Sequence, residues 1–74
     1  MNSIEVFKTD VKGRQHAGYL IREMNELFPN YKITIDLQDN DKVLRVENRK
    51  GKIEASRVIK LLRKRNFHCR VLDY

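Results

Sequence analysis

Residues 31–47 read YKITIDLQDNDKVLRVE, and this stretch decides the fold. Apolar and polar side chains alternate over residues 31–37, which is typical of a strand with one buried face. Residues 38–42 form a polar turn, and residues 43–47 form a second strand-like segment. The stretch therefore predicts a β-hairpin in the middle of the chain.

A strand and a helix are predicted on each side of this hairpin. Residues 4–9 have strand character, and residues 14–28 carry apolar side chains at helical spacing before Pro29 ends the helix. A second helix is predicted over residues 54–65, with Asn66 as a left-handed stop, and a last strand over residues 67–72. The order is βαββαβ. We expect one α+β domain over residues 1–74, with a ferredoxin-like, four-stranded antiparallel sheet and two helices on one face.

The side chains that face the helices are predicted from a weak similarity between the two halves, at an offset of 38 residues. This offset aligns Gly13 with Gly51 and Val6 with Leu44. It leaves Phe7 on the open face of the sheet. In this fold, residues 10–16, 38–42 and 64–68 should meet at one end of the sheet. The predicted inward residues are Ile4, Val6, Ile33, Ile35, Leu44, Val46, Cys69 and Val71.

Charge is distributed unevenly along the chain, whose net charge is +6. Residues 1–41 contain five basic and seven acidic residues, a net charge of −2, whereas residues 42–74 contain eleven basic and three acidic residues, a net charge of +8. Such asymmetry favours an acidic partner, which can be a nucleic acid, an anionic surface or an acidic protein.

Cysteine content and apolar patterning indicate the compartment. Cys69 is the single cysteine, so no internal disulfide can form, and we expect a thiol-reducing location. We see no signal peptide and no apolar run long enough to span a bilayer, and we therefore expect a cytoplasmic protein. Cys69 is predicted to be a buried, unreactive thiol. His68 cannot act as its base, because adjacent strand residues point to opposite faces.

The first β–α junction resembles that of the heavy-metal-associated domains of copper chaperones and metal-transporting P-type ATPases. Their loop, G-M-x-C-x-x-C, opens the first helix of a βαββαβ domain. Here Val11 takes the position of the buried methionine, while Gly13 and His16 take those of the two cysteines. The resemblance implies the same fold. The loop lacks the two thiolates that bind a cuprous ion, so we expect no metal and no other cofactor.

Two further metal sites are weaker hypotheses. His16 and His68 are predicted at the same end of the sheet, so weak metal binding through His16 stays an alternative, although zinc normally takes three or four protein ligands. Asp36, Asp39 and Asp41 resemble part of a calcium loop, but the full ligand pattern is absent, and a solvated turn is the better interpretation.

A basic surface on the second helix is the main functional prediction. We expect a non-catalytic module, not an enzyme, that binds a protein with an acidic surface. Nucleic-acid binding through the same positive charge is the alternative, and an exposed Phe7 among basic residues could add a surface that stacks on a base. Neither membrane insertion nor a particular oligomeric state is predicted. The predicted partner-binding residues are Arg49, Lys50, Lys52, Arg57, Lys60, Arg63 and Lys64.

Overall fold

The structure, a computed structural model, describes residues 3–72 and contains the predicted βαββαβ order. The strands and helices are β1 (Ser3–Thr9), α1 (Arg14–Leu27), β2 (Tyr31–Asp36), β3 (Val43–Asn48), α2 (Ala55–Lys64) and β4 (Cys69–Val71). Most bounds lie within one or two residues of the prediction. The last strand is shorter than predicted, because residues 67 and 68 belong to the loop that precedes it.

The four strands form one antiparallel sheet in the order β2-β3-β1-β4. The central hairpin is present, with Ile33 opposite Val46 and Ile35 opposite Leu44. Both helices cover one face of this sheet, which confirms the α+β, ferredoxin-like prediction. The strand order makes β2 and β4 the two edges.

The core lies between the helices and the sheet. Helix α1 contributes Ala17, Leu20 and Met24, which share one side because they are spaced by threes and fours. Helix α2 contributes Val58, Leu61 and Leu62 in the same way. From the strands come Ile33, Leu44, Val46 and Cys69, all buried as predicted.

The predicted face of β1 is wrong. Phe7 is 0% exposed in the core, whereas Ile4 is 51% exposed on the open face of the sheet and Val6 is half-buried there. The cause is visible in the register, since Phe7 pairs with Leu44 and Val6 pairs with Arg45. The alignment of Val6 with Leu44 was therefore wrong by one residue for β1. A shift of one residue turns every side chain of a strand to the other face.

Val71 also departs from its predicted burial. It lies opposite Phe7, on the same side of the sheet as Cys69, but it is 37% exposed. It belongs to an edge strand, where only one neighbouring strand protects a side chain from solvent.

Two residues with positive φ shape the ends of the helices. Gly13 precedes α1 at φ 94°, a conformation that residues with a Cβ rarely adopt. Asn66 follows α2 at φ 69°, as predicted. The Asn66 N–H donates to the Arg63 carbonyl at 3.0 Å and the Phe67 N–H donates to the Leu62 carbonyl at 2.9 Å. This paired arrangement is a Schellman motif, which ends the helix and turns the chain towards β4.

Candidate interaction surface

Three loops meet at one end of the sheet, as the topology predicted. The His68 N–H donates to Asp10 Oδ1 at 2.7 Å and joins the start of β4 to the loop after β1. The Thr9 hydroxyl donates to the Lys42 carbonyl at 2.6 Å, and the Thr9 N–H donates to the Asp41 carbonyl at 3.0 Å. These bonds attach the hairpin turn to the same end.

The loop between β1 and α1, whose sequence resembles a metal-binding loop, does not present two ligand side chains at the positions of the two cysteines. Val11 is 0% exposed and anchors the loop in the core. Gly13 has no side chain, and its φ of 94° would strain a cysteine at that position. His16 Nδ1 lies 3.1 Å from the Lys12 carbonyl oxygen, and the His16 ring contacts Phe67 edge to face, with centroids 5.7 Å apart. The contact with Phe67 packs the imidazole against an apolar side chain.

Cys69 is the first residue of β4, and His68 lies in the loop just before it. Cys69 is 3% exposed, and burial raises the pKa of its thiol to about 12, with a small opposing effect from the charge of Arg63. His68 is exposed, and its Nε2 lies 3.9 Å from Asp10 Oδ2. At neutral pH the thiol is therefore protonated, and a thiolate nucleophile is disfavoured.

The aspartates of the hairpin turn stabilise the turn itself. Asp36 Oδ1 accepts a hydrogen bond from the Gln38 N–H at 3.0 Å, and Asp39 Oδ1 accepts one from the Asp41 N–H at 2.8 Å. The Asp41 carboxylate lies 3.3 Å from Lys8 Nζ. Such local bonds are the usual reason for aspartate in turns.

The outer side of α2 is a basic surface. Lys60, Arg63 and Lys64 are exposed and share one side, because they are spaced by three and four residues. Within residues 3–72, no carboxylate lies within 4.0 Å of these three side chains. We call them the basic face of α2.

Two other predicted contact residues have carboxylate partners. Arg57 Nη1 lies 3.0 Å from Glu54 Oε2, and the Arg57 guanidinium lies over the Phe28 ring, 4.9 Å from its centroid. Arg49 Nε lies 3.5 Å from Glu47 Oε2. Lys50 and Lys52 are exposed in the loop before α2. Arg57 is therefore exposed like the basic face of α2 but has a carboxylate partner and an aromatic contact within the chain.

Arg65 is a residue whose role the sequence did not reveal. Its guanidinium binds the Glu23 carboxylate through two nitrogens, with Nε 2.9 Å from Oε1 and Nη2 in contact with Oε2. The hydrogen bonds from Arg65 lower the pKa of Glu23, and those to Glu23 raise the pKa of Arg65. This pair joins α1 to α2, and because the residues lie far apart in sequence, no local pattern predicted it.

Arg70 and Lys8 extend the positive charge beyond α2. They lie directly opposite each other on β4 and β1, on the open face of the sheet. Like charges in this arrangement are destabilising, and Asp41 offsets only the charge of Lys8. A hollow of about 350 Å³ at the β4 edge is lined by both residues and Arg63, with Asp10 as its one acidic residue among those described. The basic face of α2 thus continues around the β4 edge.

Comparison with family models, curated proteins and solved structures found no match for this chain. None of the helices formed by residues 3–72 is long and apolar enough to cross a bilayer. In the same range, no three His, Cys, Asp or Glu side chains come together as a set of metal ligands.

Proposed function

We propose that this chain is a non-catalytic binding module whose basic face of α2 contacts a partner protein with an acidic surface. The observation that carries the proposal is the exposure of Lys60, Arg63 and Lys64, none of which has a carboxylate within 4.0 Å in the described chain. Arg57 and Arg65, the other arginines of this part of the chain, each have a carboxylate partner. Unpaired cations on one rigid helix favour the approach of negative charge.

The position of Phe7 favours a protein partner over a nucleic acid. Recognition of single-stranded nucleic acid on a sheet uses exposed aromatic rings that stack on bases. Phe7 is buried, so it cannot supply such a ring. Without that ring on the sheet, the basic face of α2 contributes phosphate contacts, and affinity from such contacts is salt-sensitive.

The resemblance to heavy-metal-associated domains is part of the same proposal. We interpret the chain as a domain of that kind without the metal pair, because Gly13 adopts a conformation that disfavours cysteine and His16 contacts Phe67. Its role would then be recognition rather than metal transfer. A cytoplasmic location stays a prediction.

Charge reversal on matched surfaces tests the proposal. The variant Lys60→Glu, Arg63→Glu, Lys64→Glu and the control Lys12→Glu, Arg14→Glu, Arg22→Glu change the net charge equally, and all six residues are exposed. Each protein, labelled with ¹⁵N, is titrated with a short glutamate-rich peptide that has one central leucine.

We expect the peptide to shift the amide resonances of α2 and the β4 edge in the wild type. These shifts should be kept in the control and lost in the α2 variant. Equal loss in both variants would show that only net charge matters, and the basic face of α2 would not be a binding site. Arg57 is left unchanged because its contacts with Glu54 and Phe28 would confuse binding with stability.

A further inference from the structure

The outer edge of β2 is available for another strand. Within residues 3–72, β2 pairs only with β3, although it is one of the longer strands, spanning Tyr31–Asp36. An edge of this length with free backbone groups is a ready template for strand addition.

The hydrogen-bonding pattern identifies which backbone groups are free. The Leu72 N–H donates to the Val6 carbonyl at 2.8 Å, so the backbone N–H and C=O groups of the even-numbered residues of β1 point towards β4. Because the backbone groups of successive residues point to opposite edges of a strand, those of the odd-numbered residues of β1 point towards β3. The same alternation continues through the pairing of β1 with β3 and of β3 with β2. The N–H and C=O groups of Ile33 and Ile35 therefore point outward from β2, away from β3.

Residues 31–37 have a sequence that is chemically symmetric about Thr34. Reading outward from Thr34, isoleucine lies on both sides, then Lys32 and Asp36, and then two apolar residues. An antiparallel copy of β2 centred on Thr34 would therefore pair opposite charges twice and like apolar residues throughout. The pairs are Thr34 with Thr34, Ile33 with Ile35, Lys32 with Asp36 and Tyr31 with Leu37.

The side chains near this edge are partly or fully exposed, as such pairing requires. Ile35 and Leu37 are only half-buried, and with Arg14 they line a hollow of about 590 Å³. Lys32 is exposed on the open face. Asp36 is also exposed, and among residues 3–72 only its Oδ1 accepts a hydrogen bond, from the Gln38 N–H. Its second oxygen can accept one from a lysine.

We propose that two copies of this chain pair through their β2 edges, with Thr34 on the two-fold axis. Lysine at an edge commonly prevents strand addition, but here every Lys32 meets an Asp36 of the other copy. Opposite charges and Thr–Thr pairs across strands are favourable, and the arrangement is isologous, as in most dimers. The result is a continuous eight-stranded sheet with all helices on one face. This dimer does not depend on the proposed function.

Complementary single variants test the pairing. Lys32→Glu places a glutamate opposite Asp36, and Asp36→Lys places two lysines opposite each other, so each variant repels itself. Mixed together, they should attract, because the two introduced side chains then form one opposite-charge pair, and the native Asp36 of one variant meets the native Lys32 of the other. Sedimentation velocity over a concentration series should show a wild-type dimer, at least tenfold weaker dimers for each variant, and a heterodimer in the mixture.

Hydrogen exchange of the wild type provides a second readout that needs no variant. The amides of Ile33 and Ile35 should become protected as protein concentration rises, while the inward-facing amides of Lys32 and Thr34 should not change. The control Glu26→Lys, on the exposed side of α1, should leave dimerisation unchanged. A wild type that stays monomeric at millimolar concentration, or a mixture that fails to associate, would overturn the proposal.

Discussion

Phe7 has the largest of the fully buried side chains among residues 3–72, whereas Ile4, three positions earlier on the same strand, is largely exposed. Phe7→Ala should lower the free energy of unfolding by about 3–5 kcal/mol, because it leaves a cavity in the core. Ile4→Ala should change it by about 0.5 kcal/mol, as is usual at exposed sites. Urea unfolding followed by circular dichroism measures both. A larger loss for Ile4→Ala would mean that β1 faces the other way.

The sequence predicts where β1 lies but not which of its two faces is buried. Both faces of β1 carry apolar side chains, with Ile4 and Val6 on one face and Phe7 on the other. Only the pairing of Phe7 with Leu44 and Val71 decides between them. In β2, where one phase is clearly apolar, the predicted inward face was correct, since Ile33 is buried and Ile35 packs against the core while partly covered.

Helix α2 separates a buried side from a charged side within adjacent residues. Leu62 is fully buried, and Arg63 is exposed. Leu62→Ala should therefore lower the free energy of unfolding by about 2–5 kcal/mol. Arg63→Ala should change it by about 0.5 kcal/mol or less. Guanidinium unfolding of the two variants and the wild type gives the comparison, and similar losses for both would contradict the assigned faces.

Elements were predicted well because their signals are local. Helical spacing, Pro29 after α1 and Asn66 after α2 lie within a few residues of the ends that they define. Contacts between elements carry no such signal. The pair of Arg65 with Glu23 and the stacking of Arg57 on Phe28 arise only when the two helices lie side by side on the sheet. Arg57, which the sequence predicts to contact a partner, thus also makes contacts within the chain, while its side chain stays exposed.

The whole molecule has its basic face and its free strand at opposite edges of the sheet. The strand order puts β2 at one edge and β4, next to the basic hollow, at the other. In a β2-paired dimer, the two basic faces would lie at the far ends of an extended sheet. Such a dimer could bind two acidic sites at once, and linked sites can strengthen binding well beyond a single contact.

The central claim is that the basic face of α2 binds acidic protein rather than nucleic acid, and salt dependence tests it most directly. The affinity of the wild type for the glutamate-rich peptide with its central leucine, and for a short duplex DNA, is measured at about 50 and 200 mM salt. Three phosphate contacts would give a slope near 2.7 in log–log terms, so duplex affinity should fall by about 40-fold. We predict weak duplex binding with this loss, and peptide binding that falls less steeply, because a short peptide lacks the condensed counterions that duplex DNA releases. Tight duplex binding that survives the higher salt, with no peptide binding, would contradict it.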